Sequence, residues 1–226
     1  MPGSASCLLA LLVGLPQAQE PAEPDPGRFE VAVLARGMAR PLELDVTPDG
    51  RVLWVEQGGK LRLYRPDTGE VVLSAHLEVF AEQENGLLGI ALDPHFAENR
   101  RLYLLYSPRE YPGQRLSRFL LDGDMLDLES EQVLLEFEEQ RRECCHRAGA
   151  LEFGPGGVLF ISTGDNTHPG GDSHGYAPID ERPDRSPFDA QKGPANTHSL
   201  VGKILRILPT EDGYEIPEGN LFDDPS

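Results

Sequence analysis

Basic side chains, cysteine, tryptophan and long apolar runs are all scarce in this chain of 226 residues. Lysine and arginine number 20 against 38 aspartates and glutamates, a formal net charge of −18. A surface that negative repels phosphate backbones and anionic lipid, which argues against nucleic acid and membrane surfaces as partners. No apolar run reaches the ~18–20 residues that span a bilayer, so no transmembrane helix is predicted. Two of the three cysteines, Cys144 and Cys145, are adjacent and precede His146. Adjacent side chains splay apart and no second cluster completes a tetrahedron, so zinc is not predicted and no metal ligand is assigned within the chain. Across a trans peptide their Cα atoms lie ~3.8 Å apart, shorter than a disulfide usually spans, so the pair is expected to be unbridged.

Several motifs are missing as well. No G-x-G-x-x-G follows a strand, and Gly202-Lys203 lacks the rest of a phosphate loop. The acidic run Asp122 to Asp127 does not have the spacing of an EF-hand. There is no G-x-S-x-G elbow for a nucleophilic serine. A lactonase-like hydrolase would need calcium-binding side chains from several blades, and no such set assembles here.

What is present is enough for a core: 39% hydrophobic and 26% charged residues. Gly 24 and Pro 20 make the chain rich in turns, which disfavours a helical bundle. Residues 1–19 carry no charge and contain the apolar run Cys7 to Leu15 ahead of small residues, the pattern of a signal peptide. A secreted or periplasmic protein is therefore expected. Residues 20–27 (EPAEPDPG) read as an acidic linker.

From residue 28 the chain repeats a loose unit: an apolar strand, a turn with Pro48, Pro94 or Pro155, a second strand, a break and a third strand. Lys60-Leu61-Arg62-Leu63-Tyr64 alternates with period two, as a half-buried strand does. Asp49-Gly50, Gly58-Gly59, Asp122-Gly123 and Gly156-Gly157 supply hairpin chemistry. Four-strand units of about 40–50 residues are propeller blades. The fold class is thus all-β, a partial β-propeller over residues 28–226 with about three blades. Three blades cannot close a ring that takes about 4–8.

The chemistry gathers where three loops meet the blades: Glu82 to Gly86, Glu143 to Gly149 and Ser162 to Thr167. His146 precedes the strand Ala150 to Phe153, and Asp165 follows the strand Val158 to Thr163. The tight turn at Pro155 to Gly157 makes those strands antiparallel, so the start of one lies beside the end of the other. His146 and Asp165 should therefore face each other at one rim, with Glu84 at the equivalent entrance of the preceding blade. A carboxylate on one imidazole nitrogen fixes the tautomer and leaves the other nitrogen as a base. The Gly/Pro/Asp-rich insertion from His168 to His198 should wall the same rim.

The segments GLLGIALDPHF, CCHRAGALEFGPGGVLFISTGDNT and SLVGKILRILP resemble the soluble quinoprotein glucose/sorbosone dehydrogenases, from about Gly37 to Phe222. The resemblance implies a six-bladed propeller that uses pyrroloquinoline quinone and calcium. It implies hydride transfer from a sugar or related alcohol to the quinone, with His146 as catalytic base and Asp165 orienting it. Glu84, Asn85, His146, Arg147 and Asn166 are then the expected cofactor-binding residues. Glu84 stands where glucose-oxidising members carry Gln, and Cys145 where they often carry Asp. The calcium ligands and most of the quinone cradle are expected outside this segment. The electron acceptor is not indicated, and a fragment of this kind is expected to be inactive alone. The alternative within the same resemblance is a non-catalytic binding module of the hedgehog-interacting-protein type.

Overall fold

The computed structural model describes residues 26–170, 174 and 179–221. The expected signal segment, and the expected linker up to residue 25, lie outside the described residues. The chain divides into two compact units, residues 1–33 and 34–226. Among the described residues of the first, a 3-10 turn at Pro26–Arg28 leads into a run with Phe29, Val31 and Val33 exposed.

The second unit is three four-stranded antiparallel sheets. The first holds β1 (Pro41–Val46), β2 (Val52–Glu56), β3 (Lys60–Tyr64) and β4 (Val71–His76) in sequence order. The second holds β5 (Leu87–Leu92), β6 (Arg101–Tyr106), β7 (Gly113–Asp122) and β8 (Met125–Glu138), with a short helix α1 (Phe96–Asn99) between β5 and β6. The third holds β9 (Ala148–Phe153), β10 (Leu159–Thr163), β11 (Ile204–Pro209) and β12 (Tyr214–Glu215). Each sheet meanders from its first strand to its fourth, which makes it a propeller blade. Among the described residues no helix is long and apolar enough to cross a membrane.

Packing follows from the period of two. In β6 the side chains of Leu102, Leu104 and Tyr106 enter a core shared with the first blade. Tyr103 and Leu105, between them, enter a second core shared with the third blade. The first core takes Leu53, Val55, Leu61 and Leu63 from β2 and β3. The second takes Leu151, Leu159, Ile161 and Ile207 from β9, β10 and β11. Alternation along β6 therefore sorts residues between two neighbouring blades rather than between core and water.

The first strands of the blades, β1, β5 and β9, lie side by side. Two carboxylates of β1 tie them together. The Ile90 backbone N–H donates to Glu43 Oε2 at 2.8 Å, and the Leu92 N–H donates to Asp45 Oδ2 at 2.8 Å. The Leu151 N–H reaches Glu43 Oε1 at 3.3 Å. Glu43 thus bridges all three blades. At the perimeter, Arg51 and Arg65 both donate to Asp124 across the first seam, at 3.1 and 2.6 Å, and Arg101 donates to Glu211 at 2.6 Å across the second.

Candidate functional site

The register of β9 against β10 sets the site. Ala148 pairs with Thr163, so the residues before β9 run beside those after β10. The pairing continues past the strands: the Gly164 N–H donates to Arg147 O at 3.0 Å and the Asn166 N–H to His146 O at 3.2 Å. His146 and Asp165 then meet, with Nδ1 2.9 Å from Oδ1. An ionised carboxylate only accepts, so Nδ1 carries the proton, and in the neutral ring Nε2 is then the nitrogen with the lone pair. Asp165 Oδ1 also accepts the Thr167 backbone N–H at 3.0 Å, which fixes the carboxylate. The imidazole is half exposed, at 44%, and Nε2 has no partner among the described residues.

The backbone here departs from ordinary conformations. His146, Ala148 and Asn166 all have positive φ, at 55°, 55° and 57°. Left-handed non-glycine residues cost of order 1–3 kcal/mol each and persist only when their surroundings hold them. Two features do so. Glu84 accepts the His146 backbone N–H through Oε2. Gly164 lets the two segments close: a Cβ there would lie 1.7 Å from His146 O. Gly164 is a site residue that sequence reasoning missed, although its place before Asp165 in Thr-Gly-Asp was a signal.

Cys144 and Cys145 correct an expectation. The structure joins them in a disulfide, with their Cα atoms 3.2 Å apart. The expectation rested on trans spacing, and the peptide between them is cis. Glu84 and the two sulfurs lie within 4.8 Å of one another. Bridged sulfurs are not thiolates and make poor metal ligands.

The other expected cofactor contacts have different surroundings. Asn85 is fully buried. Its amide donates to Glu82 O at 3.1 Å and accepts from Ser107 Oγ at 3.2 Å. Gln57, just after β2, donates to the carbonyls of Gln83 and Asn85 at 2.8 and 2.7 Å, so this loop is held from the first blade. Arg147 is buried against Glu139 at 3.2 Å and also donates to Gln140 O at 2.8 Å. Burial raises the Glu139 carboxyl in spite of Arg147. Asn166 is engaged with the backbone of Gln140, accepting at 2.7 Å and donating at 3.1 Å. These three side chains shape the loops that carry His146 and Glu84. No sequence signal marked Glu139 or Gln140 as their partners.

The insertion is bonded within itself at its start and anchored to the blade at its exit. The His168 N–H donates to Pro187 O at 2.7 Å. Lys203 Nζ donates to the carbonyls of Gly193, Pro194 and Val201 at 2.9, 3.1 and 3.0 Å. Within the insertion, Arg182 and Arg185 bind the buried Asp180 and hold its carboxyl well below the usual range. A cleft of about 590 Å³ separates the insertion from residues 138–142, and Asp165 stands in its wall. A smaller cleft of about 150 Å³ lies between β1, β5 and β9, where burial pushes Glu43 up to about 7.

The fold and this rim define a propeller with a carboxylate-held histidine at a blade entrance. The glucose/sorbosone dehydrogenase family profile matches residues 38–226, and the chain belongs to that family. It is 33% identical over 197 residues to an uncharacterized protein of Synechocystis, covering 82% of this chain and 44% of that protein. It is 28% identical to the aldose sugar dehydrogenase YliI of Escherichia coli, covering 87% and 48%. The PQQ-bound aldose sugar dehydrogenase of Streptomyces coelicolor shares the fold, with a TM-score of 0.65 at 24% identity, over 85% of this chain and 51% of that one. The chain therefore spans about half the length of the relatives it matches.

Proposed function

We propose that this chain supplies the proton-handling half of a quinoprotein sugar dehydrogenase that oxidises a sugar or related alcohol. One observation carries the reading: His146 is held at Nδ1 by Asp165 at a half-exposed rim, and its Nε2 has no partner among the described residues. Nε2 takes the proton of a carbinol hydroxyl as the C–H hydride departs. Asp165 keeps the ring in the required tautomer and stabilises the imidazolium that forms. Glu84 holds the His146 backbone in its left-handed conformation. Asn85, Arg147 and Asn166 serve the same site by fixing its loops.

Pyrroloquinoline quinone, when bound, supplies the hydride acceptor. The described rim residues fit the base side of such a site. Calcium takes about 6–8 oxygen ligands, and the rim offers the carboxylates of Glu84 and Asp165, both already accepting backbone hydrogen bonds. The calcium cage and the cations for the quinone carboxylates are assigned to segments beyond this chain.

The test is His146→Ala in the full-length protein supplied with the quinone and calcium, followed by dye-linked sugar oxidation. A loss of about 10²–10⁴-fold in kcat is expected. An unchanged rate overturns the assignment and favours a binding module on the same fold.

A further inference from the structure

The vicinal cysteines have no part in the proton handling described above, although Cys145 directly precedes His146. Their sulfurs have a third neighbour. Glu84, from the loop before β5, brings a carboxylate oxygen close to the pair, and the three ligand atoms lie within 4.8 Å of one another. Among the described residues no other three His, Cys, Asp or Glu side chains gather as closely. We propose that Glu84, Cys144 and Cys145 form a site for a thiophilic divalent cation of the zinc class, open only in the dithiol state. The inference does not depend on the dehydrogenase reading.

The donor set selects the ion. Thiolate is the soft ligand that favours zinc-like ions over calcium or magnesium. Two thiolates and a carboxylate supply three of the four ligands of a tetrahedral ion and leave one position for water. Access is direct, because both cysteines are half-buried and Glu84 is exposed. The surrounding charge is favourable too, since the chain carries a net −18.

The frame of the site is held by contacts other than the sulfur–sulfur bond. On one side of the pair, Gln140 donates to Glu143 O at 3.1 Å and accepts the Glu143 N–H at 2.9 Å. On the other side, the His146 N–H donates to Glu84 Oε2. The Glu84 loop is itself pinned by Gln57, at 2.8 and 2.7 Å. Reduction therefore leaves the ligands assembled. A dithiol reductant gives two electrons and two protons to the Cys144–Cys145 bond, which opens to two thiols, and the reductant closes as its own disulfide. The cation then displaces both thiol protons and binds the two sulfurs and Glu84.

The experiment uses the full-length protein without cofactor. It is reduced with dithiothreitol, freed of reductant without air, and titrated with cadmium chloride alone. One equivalent is expected to bind with a thiolate-to-metal charge-transfer band, and the oxidised protein should show no band. Glu84→Gln is expected to weaken binding about tenfold. Glu82→Gln, an exposed acid of the same loop, should leave the affinity unchanged. Cadmium-113 NMR of the parent protein should give the shift of an ion with two sulfur ligands, a readout that needs no variant. The site is refuted if dithiothreitol does not open the pair, if the cadmium signal reports fewer than two sulfurs, or if Glu84→Gln and Glu82→Gln bind alike. None of these readouts uses sugar oxidation, so loss of the dehydrogenase reading would leave them standing.

Discussion

The middle blade and its two neighbours are made of similar strands, but their surroundings differ. β6 sends alternate side chains into two cores, and both faces of its blade are covered. In the first blade, Leu44 pairs in register with Trp54, on the face turned away from the middle blade, and Leu44 is 61% exposed. In the third blade, Ile204 lies on the corresponding far face and is 74% exposed. The strand β1 shows the contrast within six residues. Its leucines face outward while Glu43 and Asp45 turn toward the middle blade and accept its backbone N–H groups. Apolar side chains outside and carboxylates inside make sense for a strand whose other face expects a further blade. The candidate site stands on the covered seam between the second and third blades.

The largest test of this contrast is a matched pair. Leu104→Ala, in the covered core, is expected to lower unfolding stability by about 2–5 kcal/mol in urea melts. Leu44→Ala should change residues 1–226 by less than about 0.5 kcal/mol. In the longer protein of the family, the Leu44 cost should rise toward that of Leu104. Equal costs for Leu44 at both lengths would remove the case for a missing neighbour.

A second test sharpens the link between the seam and the site. Gly164→Ala places a Cβ against the His146 carbonyl. A loss of about 1–3 kcal/mol is expected. The downfield proton signal of the His146 Nδ1–H should be lost with it, and an unaltered signal would show that the rim does not depend on this close approach.

The smallest expected effect concerns the tie at the centre. Burial raises Glu43 from 4.5 to about 7, against the pull of its bonds to Ile90 and Leu151. A folded pKa above the unfolded one means that the contribution is full below 4.5 and is lost as pH rises through 7. Glu43→Gln should therefore melt higher than the parent at pH 8, by about 1 kcal/mol once partial solvent exposure is allowed for. The difference should vanish near pH 4.5. A pH-independent difference would mean that the carboxyl is not strained by burial.

Much of this architecture is legible in the sequence, for a physical reason. Strand period, Pro-bearing turns and Gly hairpins are local, so the three blades follow from the chain order. The meeting of His146 and Asp165 is nearly local too, because one tight turn and an antiparallel register bring them together. What could not be read depends on neighbouring blades. Asn85 and Arg147 are polar residues in exposed-looking loops, yet Gln57 and Ser107 in one case, and Glu139 in the other, enclose them. The same holds for Glu43, an acid at an alternating position whose role is set by strands 47 and 108 residues away. The vicinal cysteines were misread because trans geometry was assumed for their peptide.

The Lys203 ammonium gathers three carbonyls at the exit of the insertion, while Thr163 Oγ1 donates to Leu200 O at 2.6 Å beside it. The exit of the insertion is thus fastened to β10 through Thr163 and to β11 through Lys203, the residue that precedes it. Change confined to the interior of the insertion would leave these exit ties, and the His146–Asp165 hydrogen bond beside them, in place.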